Sequence, residues 1–187
     1  MTEDERFMEE AILLAKEAAA IGEVPIGCVI TKDGEIVGRG WNRRETGKSA
    51  LAHAELMAIE EACRNLGGWR LWQCRLYVTL EPCPMCAGAI INARIPVVVY
   101  GASDPKAGSV GSVTDLFALP YNHRPQVISG VLQQPCAHLL TDFFRELRAG
   151  KTAKRAYHAE AAADNVAPGP ETVPESPANV DKCGISG

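Results

Sequence analysis

Two short stretches constrain this chain more than any other feature: Ala52-His53-Ala54-Glu55 and Pro82-Cys83-Pro84-Met85-Cys86. The two cysteines lie three residues apart, so in the first turn of a helix both face the same side. One histidine and two cysteines are ligands that zinc prefers, and a catalytic zinc keeps its fourth position for water. The spacing therefore predicts one catalytic zinc site, with His53, Cys83 and Cys86 as ligands.

Glu55 follows the histidine by two residues and is not required as a ligand. A carboxylate at this position can take a proton from the water at the fourth zinc position and pass it to a substrate. Histidine, glutamate two residues later and Pro-Cys-x-x-Cys downstream together form a signature typical of zinc-dependent deaminases. We therefore predict Glu55 as the catalytic proton shuttle and that water as the nucleophile.

A structural zinc is the alternative, and it would require a fourth protein ligand. The candidates are His123, His138, Cys74 and Cys63, and none of them has ligand spacing to another. The position of Glu55 favours the catalytic interpretation. His138 lies in an apolar helical stretch, so we predict an ordinary packed histidine there.

The composition, 47% hydrophobic and 22% charged, is that of a soluble globular domain. No apolar run approaches the roughly 20 residues of a membrane span, and the acidic start lacks the features of a signal peptide. Seven cysteines without disulfide-scaffold spacing indicate a reducing, cytoplasmic location. The net charge is −4, yet residues 24–155 alone carry +5, which leaves room for a basic surface that meets nucleic acid.

Apolar periodicity and turn residues predict an α/β protein with a mixed sheet. The predicted helices are residues 3–21, 53–66, 85–93 and 134–157, and the predicted strands are 24–30, 36–41, 75–80, 96–101 and 126–130. Asp33-Gly34 predicts a hairpin turn between the first two strands. The second helix is expected to bury Leu56, Ile59, Ala62 and Cys63. The tryptophans Trp41, Trp69 and Trp72 are expected in core or rim packing.

The chain divides into two parts. Residues 1–157 are predicted to form one zinc-dependent deaminase domain. Residues 158–187 are acidic and rich in proline, with few apolar side chains, so we predict a disordered tail.

Residues 24–147 resemble the bacterial tRNA-specific adenosine deaminases, which belong to the cytidine-deaminase-like fold. Beyond the zinc signature, the matching stretches include Glu23-Val24-Pro25-Ile26-Gly27, Gly40-Trp41-Asn42-Arg43, Tyr100-Gly101-Ala102-Ser103-Asp104 and Tyr121-Asn122-His123-Arg124. The resemblance implies a three-layer sandwich with a mixed five-stranded sheet and helices on both faces. One departure stands out: the family usually has Asp-Pro-Thr where this chain has Ser49-Ala50-Leu51.

By this resemblance, the chain is expected to convert adenosine to inosine at the wobble position of a tRNA anticodon, in bacteria that of an arginine tRNA. The implied cofactor is one Zn²⁺ per subunit, and the implied partners are the tRNA anticodon stem-loop and a second copy of the chain in a homodimer. The resemblance also implies six substrate-binding residues: Asn42, Ala54, Leu80, Pro82, Asp104 and Asn122. For Asp104, which precedes a proline, a simple turn residue is the alternative, and Phe144 is expected either at the RNA or in the core.

Two other functions compete with this one. A small-molecule deaminase acting on guanine, cytosine or a nucleoside would share the zinc core and need no basic surface. A noncatalytic zinc module that binds RNA would not need Glu55. The cluster Arg39, Arg43, Arg44 and Lys48 around Asn42 favours the RNA-editing enzyme.

Overall fold

The computed structural model describes residues 1–150, so the predicted tail, 158–187, and the predicted domain boundary lie outside the described part. The helices are α1 (Glu3–Ala20), α2 (Ala54–Leu66), α3 (Pro84–Ala93) and α4 (Gln133–Arg148). The strands are β1 (Gly27–Lys32), β2 (Glu35–Trp41), β3 (Cys74–Leu80), β4 (Val97–Ala102) and β5 (Gln126–Ser129).

The five strands form one mixed sheet in the order β2-β1-β3-β4-β5. Strand β1 is antiparallel to both neighbours, whereas β3, β4 and β5 run parallel. Helices α2 and α3 pack with one face of the sheet, and α1 and α4 pack with the other. The predicted three-layer α/β sandwich with a mixed five-stranded sheet is confirmed. Strand β4 is interior, as its apolar sequence predicts, but β3 occupies the middle of the sheet.

The local signals at the start of the chain have the expected physical basis. The Thr2 side chain accepts a hydrogen bond from the Glu5 amide, and the Glu5 carboxylate accepts one from the Thr2 amide, which together begin α1. Asp33 and Gly34 both have positive φ, 51° and 81°, and link the paired residues at the ends of β1 and β2. This backbone suits the right-handed twist of a two-residue hairpin.

The buried face of helix α2 was predicted only in part: Ala62 is buried as expected, but the centre of the buried face differs. Its fully buried apolar residues are Ala54, Ala58 and Ala62, while Leu56, Ile59 and Cys63 are only partly buried. The reason is the strand beneath it: a Cβ at Gly40 would lie 2.1 Å from the Ala54 carbonyl oxygen. Glycine on β2 and alanine on α2 let the two backbones approach closely, so small residues occupy the buried face.

Three further expectations were wrong. Trp69 and Trp72 are exposed, by 52% and 66% of their surface, and His138 is exposed on α4. Helix α4 ends at Arg148 instead of near residue 157, because Gly150 follows with a positive φ of 72°. Within residues 1–150, none of the helices combines the length and apolar character that a membrane crossing requires.

Candidate active site

The three predicted zinc ligands meet where two helices begin. His53 is the N-cap residue of α2, Cys83 is the N-cap residue of α3, and Cys86 lies in the first turn of α3. Pro84 occupies the first position of α3, where its missing N–H removes no helical hydrogen bond. The His53 Nδ1 atom lies 3.7 Å from Cys83 Sγ and 3.5 Å from Cys86 Sγ. Sequence spacing therefore identified three side chains that the fold brings into direct contact.

The geometry of this cluster fits zinc. A tetrahedral zinc with bonds of about 2.0–2.1 Å to nitrogen and about 2.3 Å to sulfur places those two atoms about 3.5 Å apart. The observed separations agree with this value, and all three ligand atoms lie within 4.8 Å of one another. Among residues 1–150, the cluster contains only these three ligands. His123, a candidate fourth ligand, instead places its Nε2 2.8 Å from the Ile95 carbonyl oxygen.

The two thiols share charge unevenly. The hydrogen bond from Cys86 lowers the pKa of Cys83 to about 4, with a further contribution from His53. The same hydrogen bond, together with burial, raises the pKa of Cys86. Cys83 is therefore the first thiolate of the pair. A thiolate at the N-terminus of α3 also gains from the dipole of that helix.

Glu55 lies beside the cluster in the first turn of α2 and is 4% exposed. Burial raises the pKa of Glu55 to about 7, and the negative charge of Cys83 adds to the shift. A carboxyl group whose pKa lies near neutrality exchanges protons readily in both directions. The structure thus places the predicted proton shuttle within the same pocket as the ligands.

A cavity of about 400 Å³ opens above this cluster. His53, Glu55 and Cys83 form part of its wall, and three predicted substrate-binding residues also line it, namely Asn42, Leu80 and Asp104. Further lining residues include Arg44 and Lys106 from two loops and Leu140 and Phe144 from α4. The cavity therefore combines an apolar pocket with two exposed cations, Arg44 and Lys106, in its wall.

The other predicted substrate residues are placed differently. The Ala54 amide donates to Asn42 Oδ1 over 3.1 Å, and the Pro82 carbonyl accepts from the Ser109 amide over 2.9 Å. Asn122 does not line this cavity. Its Oδ1 accepts a hydrogen bond of 2.7 Å from Arg94, the residue that ends α3 at the opposite end from Cys83.

Asp104 carries out the turn role that was its alternative interpretation. Its Oδ1 accepts from the Lys106 and Ala107 amides, at 2.9 Å and 3.3 Å. Because Asp104 is only partly buried and lines the cavity, a second role toward a ligand remains available to it. Phe144 is 39% exposed at the cavity wall, so it does not belong to the core.

Two buried carboxylates were missed from the sequence. Glu23 accepts a 2.7 Å hydrogen bond from the Thr46 amide and so anchors the loop that carries Arg44. Burial raises the pKa of the Glu81 carboxyl, but hydrogen bonds from Ser112, Asp104 and Val110 outweigh it and leave that pKa below its usual value. The sequence signal that could have found them is an acidic residue within an apolar run. Such a carboxylate, once buried, must accept hydrogen bonds from other groups.

Residues 1–102 match the cytidine and deoxycytidylate deaminase zinc-binding region. The tRNA-specific adenosine deaminase of Bacillus subtilis (strain 168) is 53% identical over 156 residues, covering 83% of this chain and 97% of the relative.

Two solved structures are also similar. One comes from a study of A-to-I editing by tRNA:A34 deaminases and has 46% identity and a TM-score of 0.70, covering 72% of this chain and 99% of that one. The other, a guanine deaminase from Bacillus subtilis, has 42% identity and a TM-score of 0.52, covering 65% of this chain and 82% of that one. The longer coverage, the higher TM-score and the shared zinc signature agree: this chain belongs to the tRNA-specific adenosine deaminases, within the cytidine and deoxycytidylate deaminase family.

Proposed function

We propose that this chain hydrolyses adenosine to inosine at the wobble position of a tRNA anticodon, with arginine tRNA as the substrate. The observation that carries the proposal is one cavity lined by the zinc-ligand cluster, by Glu55 and by the cations Arg44 and Lys106. The cluster and Glu55 suit deamination of a base, and the two cations suit the phosphates on either side of it.

His53, Cys83 and Cys86 hold one zinc per subunit, which when bound makes a water molecule nucleophilic near neutral pH. Glu55 takes a proton from the attacking water and transfers it to a ring nitrogen of the adenine. It then delivers the second proton to the departing amine, so that adenosine and water give inosine and ammonia. The pKa of Glu55, raised by burial to about 7, suits a group that must first accept and then donate.

Asn42 orients the base. Its side-chain oxygen already accepts from the Ala54 amide, so its amide nitrogen is the group that addresses the substrate. Asn42 is 3% exposed, and a buried donor of this kind favours a base that offers an acceptor in the matching place. Leu80 supplies apolar wall, while Ala54 and Pro82 supply backbone close to the amine.

The anticodon loop suits this cavity because its bases are already partly unstacked, which lowers the free energy needed to turn one outward. Arg44 and Lys106 contact the backbone phosphates, and Asp104 accepts a hydrogen bond from a ribose 2′-hydroxyl. Binding is therefore expected to weaken steeply as salt is added.

We further propose a cytoplasmic homodimer, on the family resemblance. Asn122 lies at the end of α3 remote from Cys83, so its proposed contact with the nucleotide would be made outside the cavity. Light scattering at micromolar concentration measures the oligomeric state, and a monomer would contradict the dimer.

The central experiment incubates the purified protein with an anticodon stem-loop of arginine tRNA and measures inosine by mass spectrometry. Parallel reactions contain free guanine and free cytosine, because a related guanine deaminase is 42% identical. Inosine in the stem-loop supports the proposal. Ammonia from a free base, with no inosine formed, would assign the cavity to a small molecule.

Two variants test the role of the cations. Arg44→Ala removes a charge from the cavity wall and should weaken RNA binding with zinc content unchanged. Arg64→Ala is the matched control, because Arg64 pairs with Glu60 on exposed α2 surface. Equal effects of the two changes would show only a general loss of positive charge.

A further inference from the structure

Glu81 stands between the end of β3 and the first zinc ligand of α3, yet its carboxylate does not point to open solvent, since the residue is 2% exposed. Its own amide donates to the Ala102 carbonyl over 2.8 Å, which continues the pairing of β3 with β4. Its backbone is therefore held by the sheet, two residues before Cys83.

Both carboxylate oxygens are used by one loop. Oε2 accepts from the Asp104 amide at 3.0 Å and also from the Ser112 hydroxyl. Oε1 accepts from the Val110 amide at 3.2 Å and from the Ser112 amide at 3.0 Å. A single side chain thus satisfies three backbone donors spread over residues 104–112. Hydrogen bonds to a charged acceptor are stronger than those between neutral groups.

The loop is built to admit this carboxylate. A Cβ at Gly108 would lie 2.4 Å from the Glu81 carboxyl carbon, so only glycine leaves the space that the carboxylate fills. The Ser109 amide adds a bond of 2.9 Å to the Pro82 carbonyl, next to the same glutamate. The loop is consequently fixed to the segment that leads directly into the zinc ligands.

The same loop forms one wall of the active-site cavity through residues 103–107, and Glu81 itself also contributes to the lining beside them. Asp104 and Lys106 belong to that wall and have no regular secondary structure to hold them. The Glu81 carboxylate, together with the Pro82 carbonyl, connects the backbone of this loop to the segment that begins α3.

We propose that Glu81 is a positioning residue for substrate recognition: its carboxylate fixes the loop of residues 103–112 at a set distance from the zinc ligands. The inference rests on the proposed function, since it concerns how that function's cavity wall meets the RNA. Substrate binding then depends on a side chain that acts through Asp104 and Lys106. Removing the carboxylate should loosen the wall and leave the zinc cluster in place.

The test replaces Glu81 by glutamine in the full-length, zinc-loaded protein. The glutamine side-chain oxygen still accepts from two of the backbone donors. Its NH2 group, however, faces the Asp104 backbone N–H, where the carboxylate offered an acceptor. We expect KM for the anticodon stem-loop to rise by about tenfold or more. The kcat should fall by less than about threefold, and zinc should stay near one per chain.

Asp115→Asn is the matched control. Asp115 also holds loop backbone, accepting from the Phe117 and Ala118 amides at 3.0 Å and 3.2 Å, but it does not line the cavity. This change should lower the melting temperature without raising KM. A rise in KM of the same size for both variants would mean that Glu81 only stabilises the loop in general, and it would overturn the inference.

Hydrogen exchange supplies a readout that needs no activity. The amides of Asp104, Val110 and Ser112 should exchange faster in Glu81→Gln, while helix α3 keeps its protection. Unchanged KM or unchanged exchange at these amides would overturn the inference. A wild-type protein that forms no inosine would overturn the proposed function instead, and the exchange result would still decide the role of Glu81 in the loop.

Discussion

A polar cluster lies near each end of strand β3, and only one of the two clusters faces a cavity. Near its start, the Asp4 carboxylate accepts from Arg75 at 2.8 Å and from the Tyr77 hydroxyl at 2.9 Å, and Arg75 also donates to that hydroxyl. Near its end, His53, Glu55 and the two cysteines meet at a cavity. In the first cluster the three groups pair with one another, whereas the second cluster also faces a cavity through His53, Glu55 and Cys83.

The difference shows what each cluster does. Mutual pairing of Asp4, Arg75 and Tyr77 attaches α1 to the sheet and so stabilises the fold. Titratable groups gathered at a cavity, with pKa values shifted by burial and by one another, are typical of functional sites. Changes at the cavity end should therefore alter activity far more than stability, and changes at the start of β3 should do the reverse.

The largest effect is expected from Cys86→Ala. It removes a fully buried ligand from the zinc cluster, so metal analysis should find less than about a tenth of the wild-type zinc. Activity should disappear with the metal. Cys136→Ala removes an equally buried thiol outside the cluster and is the control for packing. Full zinc occupancy in Cys86→Ala would refute the assignment of this ligand.

Glu55→Gln should have the second largest effect. The amide keeps the shape of the side chain but cannot carry protons, so kcat should fall by about 10²–10⁴-fold. Zinc content and melting temperature should stay close to those of the wild type, because Glu55 is not a ligand. Inosine formation and metal content, measured on the same preparation, test both statements. Turnover at the wild-type rate would refute the proton-shuttle role.

Gly108→Ala addresses the wall of the cavity and should have a smaller effect. The added methyl group collides with the Glu81 carboxylate, so we expect a loss of about 1–3 kcal/mol in the free energy of unfolding and a higher KM. Gly68→Ala is the control, because a Cβ there meets nothing within 4 Å. Urea unfolding and steady-state kinetics would measure the two effects; no change in either would show that the loop adapts freely.

The smallest effect concerns the cluster of Asp4, Arg75 and Tyr77. Tyr77→Phe removes a hydroxyl that donates to Asp4, and should cost about 1 kcal/mol of stability with kcat and KM unchanged. A large loss of activity would break the distinction between the two ends of β3.

The same residue predicts a pH dependence. Burial, together with the hydrogen bond to Asp4, raises the pKa of Tyr77 to about 12. Between the ordinary tyrosine pKa of about 10 and this value, the folded state holds a proton that the unfolded state releases. The stabilisation from Tyr77 is thus complete below about pH 10 and declines as the pH rises toward 12. Unfolding curves of Tyr77→Phe should be less sensitive to pH across this window, whereas Tyr121→Phe, at an exposed position, should match the wild type.

Much of this molecule was predictable because its signals are local. The capping box at Thr2, the Asp33-Gly34 turn, and the placement of Cys83 and Cys86 at the start of α3 all depend on neighbouring residues. The fold class followed from the alternation of helices and strands. A signature in two short stretches identified His53, Cys83 and Cys86, which the fold brings together.

The misses depend on contacts between distant segments. The donors to the Glu81 carboxylate lie 23 to 31 residues further along the chain, and no local pattern announces them. The buried face of α2 was predicted correctly only at Ala62, because the larger residues Leu56 and Ile59 outrank alanine in a hydrophobicity pattern. Only the glycines of β2 show that the smaller face is the one against the sheet.

Gly40 of β2 also affects the positions of residues in the candidate active site. It contributes no atom to the cavity, but any side chain at this position would push against the carbonyl of Ala54, between His53 and Glu55. In a survey of all substitutions scored by enzymatic activity, changes at position 40 should therefore be as harmful as changes of a proposed zinc ligand. Because β2 has no side chain at this position, α2 can approach it closely. This approach sets the positions of His53 and Glu55. For the proposed activity, this empty space therefore matters as much as the proposed zinc ligands.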